Sequence, residues 1–206
     1  MRTVATPARP ATGEIGVDEA GRGPMAGPVV AAAVLLPADH RIDGLADSKQ
    51  IPAGRRELLF DAIQTSASVG IGIACSTRID AINIRGATLW AMGRAVAALG
   101  GKTRDREHAF HVLVDGRDTL PGCALRCHAV IKGDALHESV AAASIIAKVT
   151  RDRIMTRFDA VYPAYGFAGH KGYPTVEHRI RVRELGPCPI HRKSFAPVRA
   201  ALDEMR

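Results

Sequence analysis

The chain has 206 residues, 47% hydrophobic and 24% charged, the mix of a globular protein built as one domain or one domain with a small appendage. Lys and Arg total 28 against 21 Asp and Glu; the net charge of +7 suits a polyanion partner, although a plain basic protein has the same balance. Cys75, Cys123, Cys127 and Cys188 are too few for a disulfide scaffold, residues 1–12 hold no apolar signal core, and the longest uncharged run, residues 23–38, is broken by Pro24, Pro28 and Pro37, too short for a span of about 20 apolar residues. These features argue against a secreted disulfide protein and a membrane protein, and the expected compartment is the reducing cytoplasm.

Residues 1–12 read as a flexible tail. Residues 15–18 form a short strand that enters the Gly-rich loop Gly21-Arg22-Gly23-Pro24, and residues 28–36, rich in Val and Ala, suit a buried strand. Asp47-Ser48-Lys49 lies in a polar loop. Residues 52–64 read as a helix with Pro52 at its start, residues 69–75 as a strand packed close to a neighbour, and residues 77–99 as a helix stopped by Gly100-Gly101. After a charged connector (residues 102–108), strands are expected at residues 110–115 and 125–131. A long helix over residues 136–162 follows, with a face of small residues at Ala141-Ala142-Ala143-Ser144 that can lie against a sheet. From Pro163 on, the chain reads as loops and short helices. The sum is an α/β fold on a five-stranded mixed sheet flanked by helices: the early strands are close enough to pair antiparallel, the later ones far enough apart to run parallel.

Four acids stand out by position. Asp18 and Glu19 lie at the end of the first strand, Asp115 closes His111-Val112-Leu113-Val114, and Asp134 stands just before the long helix, after Lys132-Gly133. Ligands of open α/β sheets bind beyond the carboxyl ends of the strands. Four carboxylates meeting there repel one another and call for divalent cations, and an all-oxygen set suits Mg²⁺ or Mn²⁺. Two such ions about 3.5–4 Å apart form the clamp of nuclease chemistry. Adjacent strand residues face opposite ways, so Asp18 and Glu19 share a site only if the strand breaks between them, which the following glycines allow. Each acid taken alone is more simply a solvated loop residue; the case rests on all four.

Other patterns carry less. Gly101-Lys102-Thr103 lacks the upstream glycine of a phosphate loop, since position 96 is Val96, and residues 21–27 miss the dinucleotide glycine spacing. Cys123 and Cys127-His128 have no second ligand pair for zinc and read as structural thiols. Asp152 pairs with Lys148 on a helix surface and stays outside the site.

Taken in order, Gly16-Val17-Asp18-Glu19-Ala20-Gly21-Arg22-Gly23-Pro24, Asp47-Ser48-Lys49, Val114-Asp115-Gly116, Lys132-Gly133-Asp134, residues 139–153 (SVAAASIIAKVTRDR), residues 170–175 (HKGYPT) and His191-Arg192-Lys193-Ser194-Phe195 resemble the ribonuclease HII family, the type 2 ribonucleases H, from about Gly13 to Val198. The resemblance implies a ribonuclease H-like fold over residues 13–162, with a helical C-terminal extension over residues 163–206 that completes the substrate site. It implies cleavage of RNA in RNA–DNA hybrids and incision 5′ of single ribonucleotides in duplex DNA, leaving 3′-hydroxyl and 5′-phosphate ends. It carries metal-ligand roles onto Asp18, Glu19, Asp115 and Asp134, with Mg²⁺ or Mn²⁺, two ions when substrate is bound. It also carries reading of the RNA–DNA junction onto Gly21, Arg22, Gly23 and Tyr173. A Gly-rich backbone can approach a 2′-hydroxyl and an aromatic ring can stack on the next nucleotide, while Arg22, Lys49 and Lys171 are candidates for phosphate contact. Gln50 stands where a second basic residue is common in the family. The expected partner is nucleic acid, with no membrane, and the expected state is a monomer. A non-catalytic hybrid-binding protein, a junction resolvase and an acid-lined ATPase are the alternatives, the last disfavoured by the missing phosphate loop.

Overall fold

The computed structural model describes residues 13–100 and 110–205; the tail at residues 1–12 and the charged connector at residues 102–108 lie outside the described residues. Strands β1 (Glu14–Ala20), β2 (Val29–Leu35), β3 (Ser68–Ala74), β4 (His111–Asp115) and β5 (Arg126–Val130) form one sheet in the order β3-β2-β1-β4-β5. The first three pair antiparallel, and β4 and β5 run parallel to β1. The mixed sheet expected from the spacing of the apolar runs is therefore present. Helix α2 (Ser76–Ala98) precedes β4, the long crossover that a parallel return needs.

Side-chain alternation splits β1 between two cores. Ile15 and Val17 join Ala31, Ala33, Val112 and Val114 against α2. On the other face Ala32 and Val34 meet α1 (Ala53–Ser66) and the long α4 (Glu138–Val161). Small residues let these layers close up. Gly16 lies directly under α4, and Gly70 and Gly72 lie under the Ala95 and Ala91 carbonyls of α2. Ala141, Ala142 and Ala143 are fully buried, as their small-residue face anticipates. The C-terminal segment, with α5 (Phe167–His170), α6 (Val176–Leu185) and α7 (Ala196–Glu204), builds a third core in which Phe167, Val182 and Val198 meet Met25, Ala26 and Met155. No helix among the described residues is long and apolar enough to cross a membrane.

Three local readings need correction. Strand β1 does not break at Asp18: Asp18, Glu19 and Ala20 stay paired with Ala32, Ala31 and Val30, and the chain turns only at Gly21, where φ is +98°. Antiparallel pairing to β2 outweighs the turn tendency of the glycines. The long helix expected over residues 136–162 is α4, but it starts two residues later, because His137 is extended (φ −129°, ψ 126°) between it and the short α3 (Gly133–Leu136) that carries Asp134. That residue lets Asp134 face the strand ends while α4 lies along the sheet. Helix α2 is interrupted at Ile82 and Asn83, and Asn83 (φ +58°) accepts the Gly86 N–H at 3.0 Å, a side-chain cap that restarts the helix.

Candidate active site

The parallel β1–β4 pairing sets the site. Val17 is in register with Val114, so Asp18 and Asp115, each one residue on, emerge side by side at the carboxyl end of the sheet. Strand β5 brings in the third partner. Asp115 is level with Val130, and after a left-handed Lys132 the Gly133 N–H donates to Asp115 Oδ1 at 2.8 Å, which places Asp134 in the next turn. Because β1 continues unbroken, Asp18 lies beneath α4, and Glu19, next on the strand and beside Arg22 (Nη1 to Oε1 3.5 Å), joins the others only at the strand's end, where the charge of Asp115 still acts on it.

Electrostatics tie the four together. Burial, then the charges of Glu19 and Asp115, hold the Asp18 carboxyl well above the usual range. Burial and Asp115 also raise Glu19 against the opposing Arg22, and burial, Asp115 and Asp47 raise Asp134 against Lys49. Burial pulls Lys49 down, but Asp47, Asp18, Asp134 and Asp115 outweigh it and the ammonium's pKa rises. Asp115 thus acts on every other member. Among the described residues, no group of three or more His, Cys, Asp or Glu side chains is placed to hold a metal ion. The acids are an electrostatic cluster at the carboxyl end of the sheet, and their oxygen-only chemistry suits a hard divalent cation bound by a few carboxylates together with water and a phosphate.

Next to the acids is a cleft of about 350 Å³ lined by Gly21, Arg22, Gly23, Lys49, Lys148 and Tyr173 among others. Tyr173 is 44% exposed, and its Cε1 lies 3.6 Å from where a Cβ on Gly23 would sit. The Gly-Arg-Gly loop and Tyr173, far apart in sequence, are therefore neighbours. Lys171 is not in this cleft: its Nζ donates to Thr156 Oγ1 at 2.8 Å, and it lines a neighbouring groove with Arg56, Arg153 and Arg157. Asp152 accepts from Lys148 Nζ at 2.8 Å, the helix-surface pair expected of it. Cys123 and Cys127 are half-buried free thiols, and burial with Cys123 alongside pushes Cys127 up to about 12.

Sequence reasoning missed the groups that support this cleft. Arg151 and Arg192 are buried, and burial pulls them to about 10 and about 9, so both remain cations at neutral pH. Arg151 donates to the carbonyls of Pro28, Lys171 and Ala26, and Arg192 to those of Gly27, Arg22 and Gly21. Both fall in motif stretches singled out above, but a buried arginine whose hydrogen bonds go to backbone carbonyls leaves no periodic or charge-pair signal. Ser48 and Ser144 share a 2.7 Å hydrogen bond next to Asp18, and Ser144 also stabilises the Asp18 carboxylate. Behind Tyr173 runs an imidazole relay. The Cys188 N–H donates to His191 Nδ1 at 3.0 Å, so His191 carries its proton on Nε2 and donates to His178 Nε2 at 3.0 Å, and His178 Nδ1–H donates to the Tyr173 carbonyl at 2.9 Å. Burial lowers both histidines to about 4, which keeps them neutral and the relay intact at neutral pH.

The comparisons with known proteins identify the family. The family model for Ribonuclease HII matches residues 15–198. A Ribonuclease HII of Rhizobium leguminosarum bv. trifolii is 54% identical over 188 residues, 91% of this chain and 80% of that protein; the one from Halorhodospira halophila is 52% identical over 198 residues, 96% of this chain and 98% of that protein. Among solved structures, the ribonuclease H2 of Pyrococcus horikoshii superposes with a TM-score of 0.68 at 27% identity, covering 94% of this chain and 98% of that one. With the family's sequence pattern running from β1 to α7 on the same ribonuclease H-like fold, the chain belongs to the ribonuclease HII family, enzymes that hydrolyse RNA in RNA–DNA hybrids.

Proposed function

We propose that this enzyme is a metal-dependent endonuclease that incises 5′ of single ribonucleotides embedded in duplex DNA, as well as within RNA–DNA hybrids, and leaves 3′-hydroxyl and 5′-phosphate ends. The observation that carries the reading is the adjacency of Asp18 and Asp115 at the ends of parallel strands, with Glu19 and Asp134 in electrostatic contact and the Gly21–Gly23 loop and Tyr173 on the neighbouring wall. Asp18, Glu19, Asp115 and Asp134 would hold Mg²⁺ or Mn²⁺, two ions with substrate bound. Those ions would supply an activated water and neutralise charge at the scissile phosphate. Lys49 and Arg22 add positive charge at the mouth of the site, where the phosphate enters, and the loop backbone and Tyr173 orient the ribose and the next nucleotide. Residues 13–162 supply the carboxylates. Residues 163–206 complete the substrate site, a role supported by Tyr173 and by the grip of Arg192 on the loop. The protein acts as a cytoplasmic monomer on nucleic acid, removing ribonucleotides from DNA, and Lys171 contacts the duplex backbone from the adjoining groove.

A duplex with one ribonucleotide, incubated with Mg²⁺ or Mn²⁺, is expected to be cut once, at the 5′ side of that nucleotide, and to stay intact in chelator. Intact substrate in both metals, with folded protein, would sink the proposal. Tyr173→Ala is expected to cut the preference for the ribonucleotide–DNA junction by about 5- to 150-fold, the worth of one stacking contact at roughly 1–3 kcal/mol. Its stability should stay within about 0.5 kcal/mol of the parent, as for an exposed side chain. Competition between junction and hybrid substrates measures the first, and thermal melting the second; an unchanged preference would remove Tyr173 from the reader.

A further inference from the structure

The two peptide groups of the Gly21-Arg22-Gly23 loop are held by one side chain. Arg192 Nη2 donates to the Gly21 carbonyl at 2.6 Å and Nη1 to the Arg22 carbonyl at 2.9 Å, while Nε anchors the fork on the Gly27 carbonyl at 3.0 Å. A trans peptide is planar, and its N–H points opposite to its C=O. Drawing these two carbonyls towards the buried guanidinium therefore turns the Arg22 and Gly23 N–H groups the other way. Among the described residues neither N–H donates to a backbone carbonyl, and the loop lines the cleft shared with Tyr173. Two N–H donors on consecutive residues, unpaired and fixed in direction, are a preformed receptor for a hydroxyl or a phosphate oxygen.

We propose that Arg192 is the positioning residue for ribose recognition: it fixes the Gly21 and Arg22 carbonyls inward so that the Arg22 and Gly23 N–H groups are presented to the 2′-hydroxyl. This rests on the reading that the Gly21–Gly23 loop contacts the ribonucleotide. Arg192 is fully buried, so it never touches substrate and acts only through the loop. The planar fork matters more than the charge, because a lysine ammonium is one point and cannot span three carbonyls. Arg151, the second buried guanidinium, holds the carbonyls of Ala26, Pro28 and Lys171 and so fixes the loop's return limb and the approach to Tyr173 rather than the two donors themselves.

The test is binding in EDTA, where no cleavage occurs, to a duplex with one ribonucleotide and to the same duplex in DNA only. The parent is expected to bind the ribonucleotide duplex about tenfold tighter, the worth of one or two hydrogen bonds. Arg192→Lys should bring that ratio to within about twofold while binding of the all-DNA duplex holds, since a general loss of fold would weaken both. A folded Arg192→Lys protein that keeps the full ratio overturns the proposal. A parent with no preference overturns the reading of the loop itself, which separates the two failures. Should the variant not fold, amide NMR of the parent decides: the Arg22 and Gly23 N–H signals must shift with the ribonucleotide duplex and not with all-DNA, and equal shifts with both overturn the proposal.

Discussion

An Asp18→Asn enzyme is expected to lose about three orders of magnitude in kcat, the scale for removing one strong electrostatic element from a preorganised site. The same variant should melt at a higher temperature than the parent in metal-free buffer. The two effects share a cause. Asp18 is 5% exposed and faces the charges of Glu19 and Asp115, so its carboxylate is a cost to the fold and an asset only when a cation and a phosphate are present. Asparagine keeps the size and the oxygen that accepts the Glu19 N–H, at 2.7 Å in the parent, and discards the charge. Its pH dependence follows from linkage. The carboxyl binds its proton more tightly folded than unfolded, so the stability it contributes is present at acid pH and fades as pH rises from the ordinary 3.8 through the raised folded value. The gap in melting temperature between variant and parent should therefore widen from acid to neutral pH, and added Mg²⁺ or Mn²⁺ should stabilise the parent more than the variant. Near-normal turnover by Asp18→Asn would remove the carboxylate from the site; a lower melting point across the pH range would refute the electrostatic account.

The features legible in the sequence were those with a local signature. Apolar runs located all five strands within a residue or two, and Asp115 and Asp134 stood out because one closes a strand and the other opens a helix after Lys132-Gly133. Their neighbourhood was not legible. That β1 lies between β2 and β4, which puts Asp18 beside Asp115, is a property of strand order, and only the family resemblance anticipated it. Local reasoning also failed where a distant partner overrides it. Pairing with Ala31 holds Glu19 in the strand, and His137 leaves the helix where its Nδ1 lies 3.6 Å from Glu14 on β1. Lys171 sits in a motif with Tyr173 but bonds Thr156 on α4 and lines the adjoining groove, so nearness in sequence did not bring the two into one cleft. Arg151 and Arg192 were invisible for a related reason: their partners are backbone carbonyls, which every residue has, so no second residue type marks the contact.

Gly16→Ala should destabilise the protein by about 3 kcal/mol or more, at the upper end of the overpacking range. For a chain of this size that lowers the melting temperature by roughly 6–12 °C. A Cβ on Gly16 would lie 2.1 Å from the Ser139 carbonyl carbon, 2.2 Å from the Val140 nitrogen and 2.3 Å from the Ser139 oxygen. All three are backbone atoms of α4, so no rotamer change relieves the overlap, and the helix or β1 must move by more than an ångström. The same displacement reaches the chemistry. Gly16 is two residues before Asp18 on the same face, and α4 carries Ser144, which hydrogen-bonds to Ser48 and to the Asp18 carboxylate. Catalysis should therefore fall further than the loss of folded protein explains, in contrast to a simple cavity elsewhere in the core. Gly93→Ala is the matched control: a Cβ there meets nothing within 4 Å in the middle of α2, and the change should stabilise by about 0.5–1 kcal/mol through helix propensity. Denaturant unfolding of both variants, with turnover measured per folded molecule, separates the effects. If Gly16→Ala is as stable as the parent, the close approach of α4 to β1, which aligns the acids with the cleft, is not as described.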